Sequence, residues 1–332
     1  MDYLLNLIAS GLVFGALYGF IAIGFAVIYK TTGVVNFSQG EIMMLVTYFA
    51  WTVGSHGTAP VWQLMLLAVG GGIVLGAFIE RMLIRPMLGE SQFAIIMATV
   101  GIAIIVRGVV PLFWGVESLP VQTDLKGVTV EVGPVLLLGD QIFSLSAFLC
   151  VSAAIWFFFR FTKVGTAMRA TAQDEMAALL MGINVRRLHA LSWMISSATA
   201  GLAGVCYAIT VSRAPDMWFL GMQSFPAAIL GGLDSPLGSA LGALIIGVTA
   251  SLSEGYIGQG LKEISGFVII IAILMVRPYG LFGEKELERS LDWLCRRASR
   301  AIKDGYTLLV LSDRGVDRDY APIPSLLALS AL

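Results

Sequence analysis

IFSLSAFLCVSAAIWFFF (142–159), RFTKVGTAMRATAQDEMAALLMGINVRR (160–187) and LHALSWMISSATAGLAGVCYAITV (188–211) follow one another without a break. The outer two are long and apolar enough to cross a bilayer, whose hydrocarbon core of about 30 Å takes about 20 helical residues. The middle stretch carries five Lys/Arg, the acidic pair Asp174 and Glu175, and an Ala177-Ala178-x3-Gly182 spacing. Two membrane-length segments around a charged island define an all-α polytopic membrane protein. In so apolar a chain, the island is where the membrane part meets a soluble partner.

Composition fixes the same class. Hydrophobic residues make up 57% of the 332, charged residues 13%, and mean hydropathy is +0.84. A soluble domain carries about 25% charged residues. The 37 glycines agree, since glycine is more frequent in membrane helices than in soluble ones. The first positive residue is Lys30, so no charged leader segment precedes the first apolar run, which is expected to stay in the protein. Cys150, Cys206 and Cys295 lie too far apart for a metal or disulfide spacing and read as core thiols, with Cys295 in the tail.

Working outward, spans are predicted at 4–29, 61–79, 93–113, 142–159 and 188–211, with shorter ones at 42–53 and 264–276. The run 225–252 is ambiguous. Its first part is nine residues and ends at Gly231-Gly232 before Pro236, so it is either a half-helix that turns back or one of two closely joined spans. The total is about eight spans with a re-entrant or broken helix. With the N-terminus outside and the C-terminus inside, 17 of the 21 Lys/Arg fall in the cytoplasm, as the positive-inside rule favours. The largest outer loop, 115–141, holds VTVEV at 128–132 and suggests a short hairpin. Residues 1–283 form the membrane domain. In 284–305, Leu287, Leu291, Leu294, Ala298 and Ile302 share one helical face beside basic residues, predicting an amphipathic helix on the inner surface. Residues 306–332 receive no assignment.

Three motifs carry chemistry. A helix over 173–182 gathers Ala177, Ala178 and Met181 on a shallow face and ends at Gly182, a docking element for a groove on a partner; the plain alternative is a basic connecting loop. Asn36, Ser38 and Gln39, with Glu41, lie between a long first span and a short second one. They either cap that helix or line a transport path, since broken helices line transport sites. Gly11-x3-Gly15-x3-Gly19 and Gly238-x3-Gly242 let helices approach closely, and Gly231 and Gly232 with Pro236 suggest a broken helix that faces substrate. Arg107 is the clear charge within a span and is read as snorkelling to the outer interface. His56 and His189 sit near span ends and are read as structural. Neither a phosphate-binding GxxxxGK[ST] nor HExxH, GxSxG or a Cys/His cluster is present, so no catalytic residue, metal or cofactor is expected, and no nucleic-acid partner.

Taken in order, Gly15-Ala-Leu-Tyr-Gly19, Val35-Asn36-Phe37-Ser38-Gln39-Gly40-Glu41, Arg169-Ala170 through Met181-Gly182-Ile183-Asn184, Gly201-Leu-Ala-Gly204, Ile229-Leu-Gly231-Gly232 and Arg277-Pro278-Tyr-Gly-Leu-Phe-Gly283 resemble the permease subunits of branched-chain amino acid ABC importers. The resemblance covers residues 15–283. Gln39 stands where the family commonly has His. The resemblance implies a non-catalytic subunit of the bacterial inner membrane. Its partners are two cytoplasmic ABC ATPases, a homologous second permease or a second copy of itself, a periplasmic solute-binding protein and the lipid bilayer. It further implies that Arg169, Asp174, Glu175, Ala177, Ala178 and Gly182 belong to the segment that meets an ATPase, loosely matching the EAA loop of importers, whose later Ile-x-Leu-Pro part is missing here. Branched-chain amino acids are the default cargo, though similar permeases serve urea, short amides, other amino acids and aromatic acids. An ion-coupled secondary transporter and a membrane scaffold are the alternatives; the shortage of intramembrane acids counts against the first.

Bulky replacements at Ala177 and Ala178 are expected to abolish uptake while leaving membrane insertion intact; normal uptake by that variant removes the pair from coupling.

Overall fold

A computed structural model describes residues 2–54, 60–87, 90–118, 121, 123–132, 135–173, 175–258, 260–276, 280–281 and 296. The chain divides into two compact units, Met1–Gly283 and Glu284–Leu332. The amphipathic helix expected at 284–305 and the whole of 306–332 lie, apart from Arg296, outside the described residues, as does His56.

The first unit is a helical bundle built around its first helix. α1 (Asp2–Thr32) has no polar face, and a helix apolar on all sides belongs in the interior. Its most apolar 18 residues are 89% buried, against 22% for α5 (Gly139–Phe161). α3 (Val61–Ile79), α4 (Gln92–Trp114) and α5 instead hold their apolar side chains outward, as helices at a lipid or subunit boundary do. Among the described residues, six helices are long and apolar enough to cross a membrane: α1, α3 with its continuation to Met87, α4, α5, α8 (Val185–Thr210) and α10 (Pro236–Tyr256). Three are shorter: α2 (Gln39–Gly54) and α11 (Leu261–Val276), of 16 residues each, and α9 (Phe219–Gly231), of 13. At 1.5 Å per residue α9 reaches only about 20 Å, so the ambiguous run resolves into a short helix that turns back into a full-length one. α6 (Lys163–Gln173) and α7 (Glu175–Leu180) complete the helices in the described residues. The expected hairpin is β1 (Thr129–Val132) paired antiparallel with β2 (Val135–Leu138).

Glycine sets how close the central helices lie. A methyl group on Gly11 would overlap the backbone of Val248, one on Gly15 that of Ala243 and Leu244, and one on Gly247 the backbone of Gly11 and Gly15. α1 and α10 therefore cross backbone to backbone, which is the packing role expected of the first glycine series. The α9–α10 turn uses the same device: Gly231 abuts Gly238 and Ser239, and Gly242 abuts Ala227 and Gly231. Gly232 has a φ of +94°, which glycine adopts without a Cβ clash. Ser235 then caps α10, its Oγ accepting from the Gly238 N–H at 3.0 Å. The last carbonyls of α9 are satisfied in turn by the Ser239 hydroxyl on Ala228, the Gly232 N–H on Ile229 and the Leu281 N–H on Leu230.

Of the thiols, Cys206 is buried as expected, whereas Cys150 is exposed on α5, because α5 packs along one side only. Cys295 lies outside the described residues.

Gly247→Leu is expected to cost about 1–3 kcal/mol or more through overpacking, read as a lower melting temperature in detergent. Gly101→Leu, on a face of α4 where an added Cβ meets nothing within 4 Å, should leave that temperature unchanged.

Candidate functional site

After α1 the chain bends at Gly33, whose φ is +65°, runs irregularly over 34–36 and turns at Phe37–Ser38 into α2. Asn36 makes this turn: its Oδ1 accepts from the Ser38 N–H at 3.0 Å and the Ser38 hydroxyl at 2.7 Å, and its Nδ2 donates to Gln39 Oε1 at 3.0 Å. Gln39 Nε2 donates to the Ser196 carbonyl at 3.1 Å. The Ser196 hydroxyl lies 3.0 Å from Gln39 Oε1 and 2.9 Å from the Gly24 carbonyl, and Thr199 also donates to the Ser196 carbonyl. Asn36, Ser38, Gln39 and Ser196 are fully buried. Gly24 leaves room for this network, because any Cβ there would overlap Gln39 Nε2.

The network's depth follows from the helices that carry it. Ser196 is eleven residues into α8 and Gly24 eight residues before the end of α1, which places them about 16 Å and 12 Å from those ends. α2 thus begins inside the hydrocarbon layer, where polar backbone is tolerated only if protein satisfies it. Phe37 N–H is met by Thr99 Oγ1 of α4 at 3.1 Å.

α9 begins at the same level. Gly40 and Gly221 touch so closely that a methyl group on Gly221 would overlap the Gly40 backbone, and one on Gly40 would overlap the Trp218 carbonyl. Two helix N-termini, each with a partial positive charge, therefore meet within the membrane. Glu41, in the first turn of α2 and buried, supplies a negative charge there. Arg107 Nε donates to Glu41 Oε1 at 2.6 Å, and the guanidinium carbon stacks 3.5 Å from the Trp218 ring centroid. Arg107 therefore does not snorkel away: a lone charge near the centre of a span costs about 2.5–3.5 kcal/mol, and Glu41 lies within reach. The Arg107 side chain remains 41% exposed.

Asn36, Ser38 and Gln39 are thus brought together with Ser196, a residue the sequence offers only as one more small side chain in a membrane helix. Gly231 and Gly232 are not at this site. They form the α9–α10 turn at the far end of α9.

Within the described residues the charged island is helical as α6 and α7, and α7 ends at Leu180 rather than running to 182. α6 lies against α5 through Gly165, which abuts Phe158 and Phe159, with Met168 and Thr171 buried and Arg169 half-buried. Glu175 and Ala177 stand in the backbone of α7; Asp174 lies outside the described residues. Gly182, at φ +79°, ends α7: its N–H donates to the Leu179 carbonyl and the Ile183 N–H to the Ala178 carbonyl, both at 3.0 Å. This closure separates the expected face. Ala178 is 4% exposed, whereas Leu180 and Met181 are 83% and 82% exposed. Two residues on, Asn184 caps α8, its Oδ1 accepting from the Arg187 N–H at 3.1 Å.

The family model described as branched-chain amino acid transport system / permease component matches residues 7–277. A second, the glutamate synthase central domain, matches residues 263–332, less than half of the chain and overlapping α11. The high-affinity branched-chain amino acid transport system permease protein LivH of Escherichia coli is 30% identical over 305 residues, covering 86% of this chain and 98% of that protein. BraD of Pseudomonas aeruginosa, of the same description, is 30% identical over 86% of this chain and 97% of its own. The guanosine ABC transporter permease protein NupQ of Bacillus subtilis is 28% identical over 83% of this chain and 91% of its own. The chain belongs to the family of permease components of branched-chain amino acid transport systems.

Gln39→Leu is expected to destabilise the protein by ~1–3 kcal/mol for each buried group left unpaired, seen as a lower melting temperature than that of Ser146→Ala, whose hydroxyl bonds only within its own helix. Equal stability of the two variants removes Gln39 from its place as the hub.

Proposed function

We propose that the chain is the membrane-spanning subunit of a binding-protein-dependent ABC importer that passes small neutral or zwitterionic solutes, branched-chain amino acids first among them, into the cytoplasm. The observation that carries this reading is the meeting of two helix starts inside the membrane at Gly40 and Gly221, in a chain belonging to a family of permeases. The family supports the function; NupQ supports a scaffold that accommodates more than one class of solute. In this reading the N-terminus faces the periplasm and the cation-rich end, with Lys30, Arg81, Arg85 and the 160–187 island, faces the cytoplasm of a bacterial inner membrane. About eight segments traverse or enter the membrane, α2 and α9 only partly.

The path runs past the exposed part of Arg107. Asn36, Ser38 and Gln39 hold the frame of that path rather than its wall. A guanidinium already balanced by Glu41 leaves the site neutral, which suits a zwitterion better than a free ion. An ion-coupled secondary transporter is disfavoured on the same ground, since the buried carboxylates of Glu41 and Glu80 are each engaged by an arginine.

Two cytoplasmic ATPases bind the island, a second permease or a second copy of this chain completes the path, and a periplasmic binding protein delivers the solute. Arg169, Asp174, Glu175, Ala177, Ala178 and Gly182 shape the coupling segment, and the exposed Leu180 and Met181 supply its apolar knob, since exposed apolar patches mark partner sites. A push on α7 passes through its Gly182 closure and the Asn184 cap into α8, which carries Ser196 and, through it, the start of α2.

Affinity purification of the chain in mild detergent, with mass spectrometry of the bound proteins, is expected to recover P-loop ATPases and a permease partner. Leu180→Asp combined with Met181→Asp should remove the ATPases while keeping the permease partner. Recovery of the chain alone, still moving solute after reconstitution without ATP, overturns the importer; retention of the ATPases by the double variant overturns the coupling assignment.

A further inference from the structure

At the end of the bundle opposite the α8–α9 connection, next to the proposed coupling segment and sharing its Arg169, lies a cavity of about 160 Å³ to which the transport reading gives no ligand. Three cations line it from three helices: Lys30 in the last turn of α1, Arg160 in the last turn of α5 and Arg169 of α6. The first residues of the 21-residue α10 line it as well, so a helix N-terminus with its partial positive charge adds to the field. Lys30 Nζ donates to the Asp234 carbonyl at 2.7 Å, and the Asp234 side chain is the nearby acid of that turn. Neither Arg160 nor Arg169 makes an ion pair among the described residues. Arg160 and Arg169 thus share a cavity whose lining residues include no acid, a setting that favours an anion between them.

The remaining wall selects the anion. Trp156 lines the cavity and is exposed along the flank of α5, with Leu237 opposite. Lys30 and Arg160 stand where membrane helices leave the hydrocarbon, the depth at which a lipid phosphate lies and at which Trp is enriched. The volume is below the 300 Å³ or so of a site for a whole small-molecule ligand and has room for a phosphate group. Basic pockets between helices at the cytoplasmic surface are suited to anionic headgroups.

We propose that this cavity binds the phosphate of an anionic phospholipid, whose acyl chains descend along Trp156. Because Arg169 stands on α6, immediately before the proposed ATPase contact, the bound lipid braces the base of the coupling segment. The site rests on the reading of the chain as a membrane protein. It does not depend on which solute is carried, and binding is read without uptake or ATP.

The test uses the full chain in nanodiscs of phosphatidylcholine with and without phosphatidylglycerol. Lipid retained after detergent extraction is counted by native mass spectrometry, and Trp fluorescence is followed in parallel. The parent is expected to retain phosphatidylglycerol selectively. Arg160→Gln with Arg169→Gln should weaken retention by roughly thirtyfold, from the worth of two basic residues at an anionic surface. Arg160→Lys with Arg169→Lys should restore most of it, which separates lost charge from lost folding. Arg186→Gln with Arg187→Gln, an equal change of charge on the same island, should leave retention unaltered. Equal retention by the two glutamine pairs, or no preference for phosphatidylglycerol, overturns the proposal. Displacement of the lipid by millimolar inorganic phosphate overturns the lipid assignment in favour of a free-anion site. Loss of co-purifying ATPases with lipid retention unchanged overturns it in favour of a protein contact.

Discussion

A helix that starts inside hydrocarbon has backbone N–H groups and a preceding turn that lipid cannot satisfy, and everything distinctive in this bundle follows from how Gln39 meets that constraint. Its amide accepts from Asn36 on one side and reaches the Ser196 carbonyl on the other. Asn36 in turn holds Ser38, so the whole reversal from α1 to α2 is closed by side chains. The arrangement demands a bare backbone at Gly24, where a side chain would occupy the amide's place. One buried amide therefore couples α1, α2 and α8, and the long central helix cannot shift against α8 without breaking it.

Starting α2 at this depth creates a second demand. Its positive end abuts that of α9 at Gly40 and Gly221, and two like dipole ends in a medium of low dielectric repel. Glu41 in the first turn answers both ends at once, but a carboxylate alone would be as costly as the charge it cancels. Arg107 closes the balance from α4, and Trp218, the residue from which α9 starts, covers the guanidinium face. The charges at this junction are matched before any solute arrives. The junction is therefore close to neutral although it carries two full charges.

The long apolar runs made most of the bundle legible: 61–79 coincides with α3, 93–113 with α4 to within a residue at each end, and 142–159 falls inside α5. Gly232 and Pro236 marked the α9–α10 turn because a positive φ and a helix start require such residues. The hairpin was legible from its β-branched alternation. The pairing of Glu41 with Arg107 was not, because it joins residues 66 apart on different helices and neither position has a periodicity that names the other. In the 160–187 island the helix and its end at Gly182 were legible, but the face it presents was not. A single helix over 173–182 keeps Ala178 and Met181 on one face, but α7 stops at Leu180, and the left-handed Gly182 turns the chain so that Ala178 packs inward and Met181 points out. Short helices end where their caps close, and a cap changes which residues share a face.

The same closure bears on how a push from an ATPase travels in the proposed coupling. A flexible loop between α7 and α8 would absorb it. Here only four residues, Met181 to Asn184, separate the two helices, and both sides of the join are hydrogen-bonded, by the Ile183 N–H to Ala178 and by Asn184 to Arg187. α8 itself is held by Thr31 of α1, which donates to Ser192 at 2.7 Å, one turn before Ser196. Movement of α7 therefore cannot bend the join cheaply. It must carry α8 along its axis, strain the contacts of Ser192 and Ser196 together, and so act on the start of α2 about 16 Å away. In the proposed coupling, the residues that hold the start of α2 are those that a movement of α8 would strain.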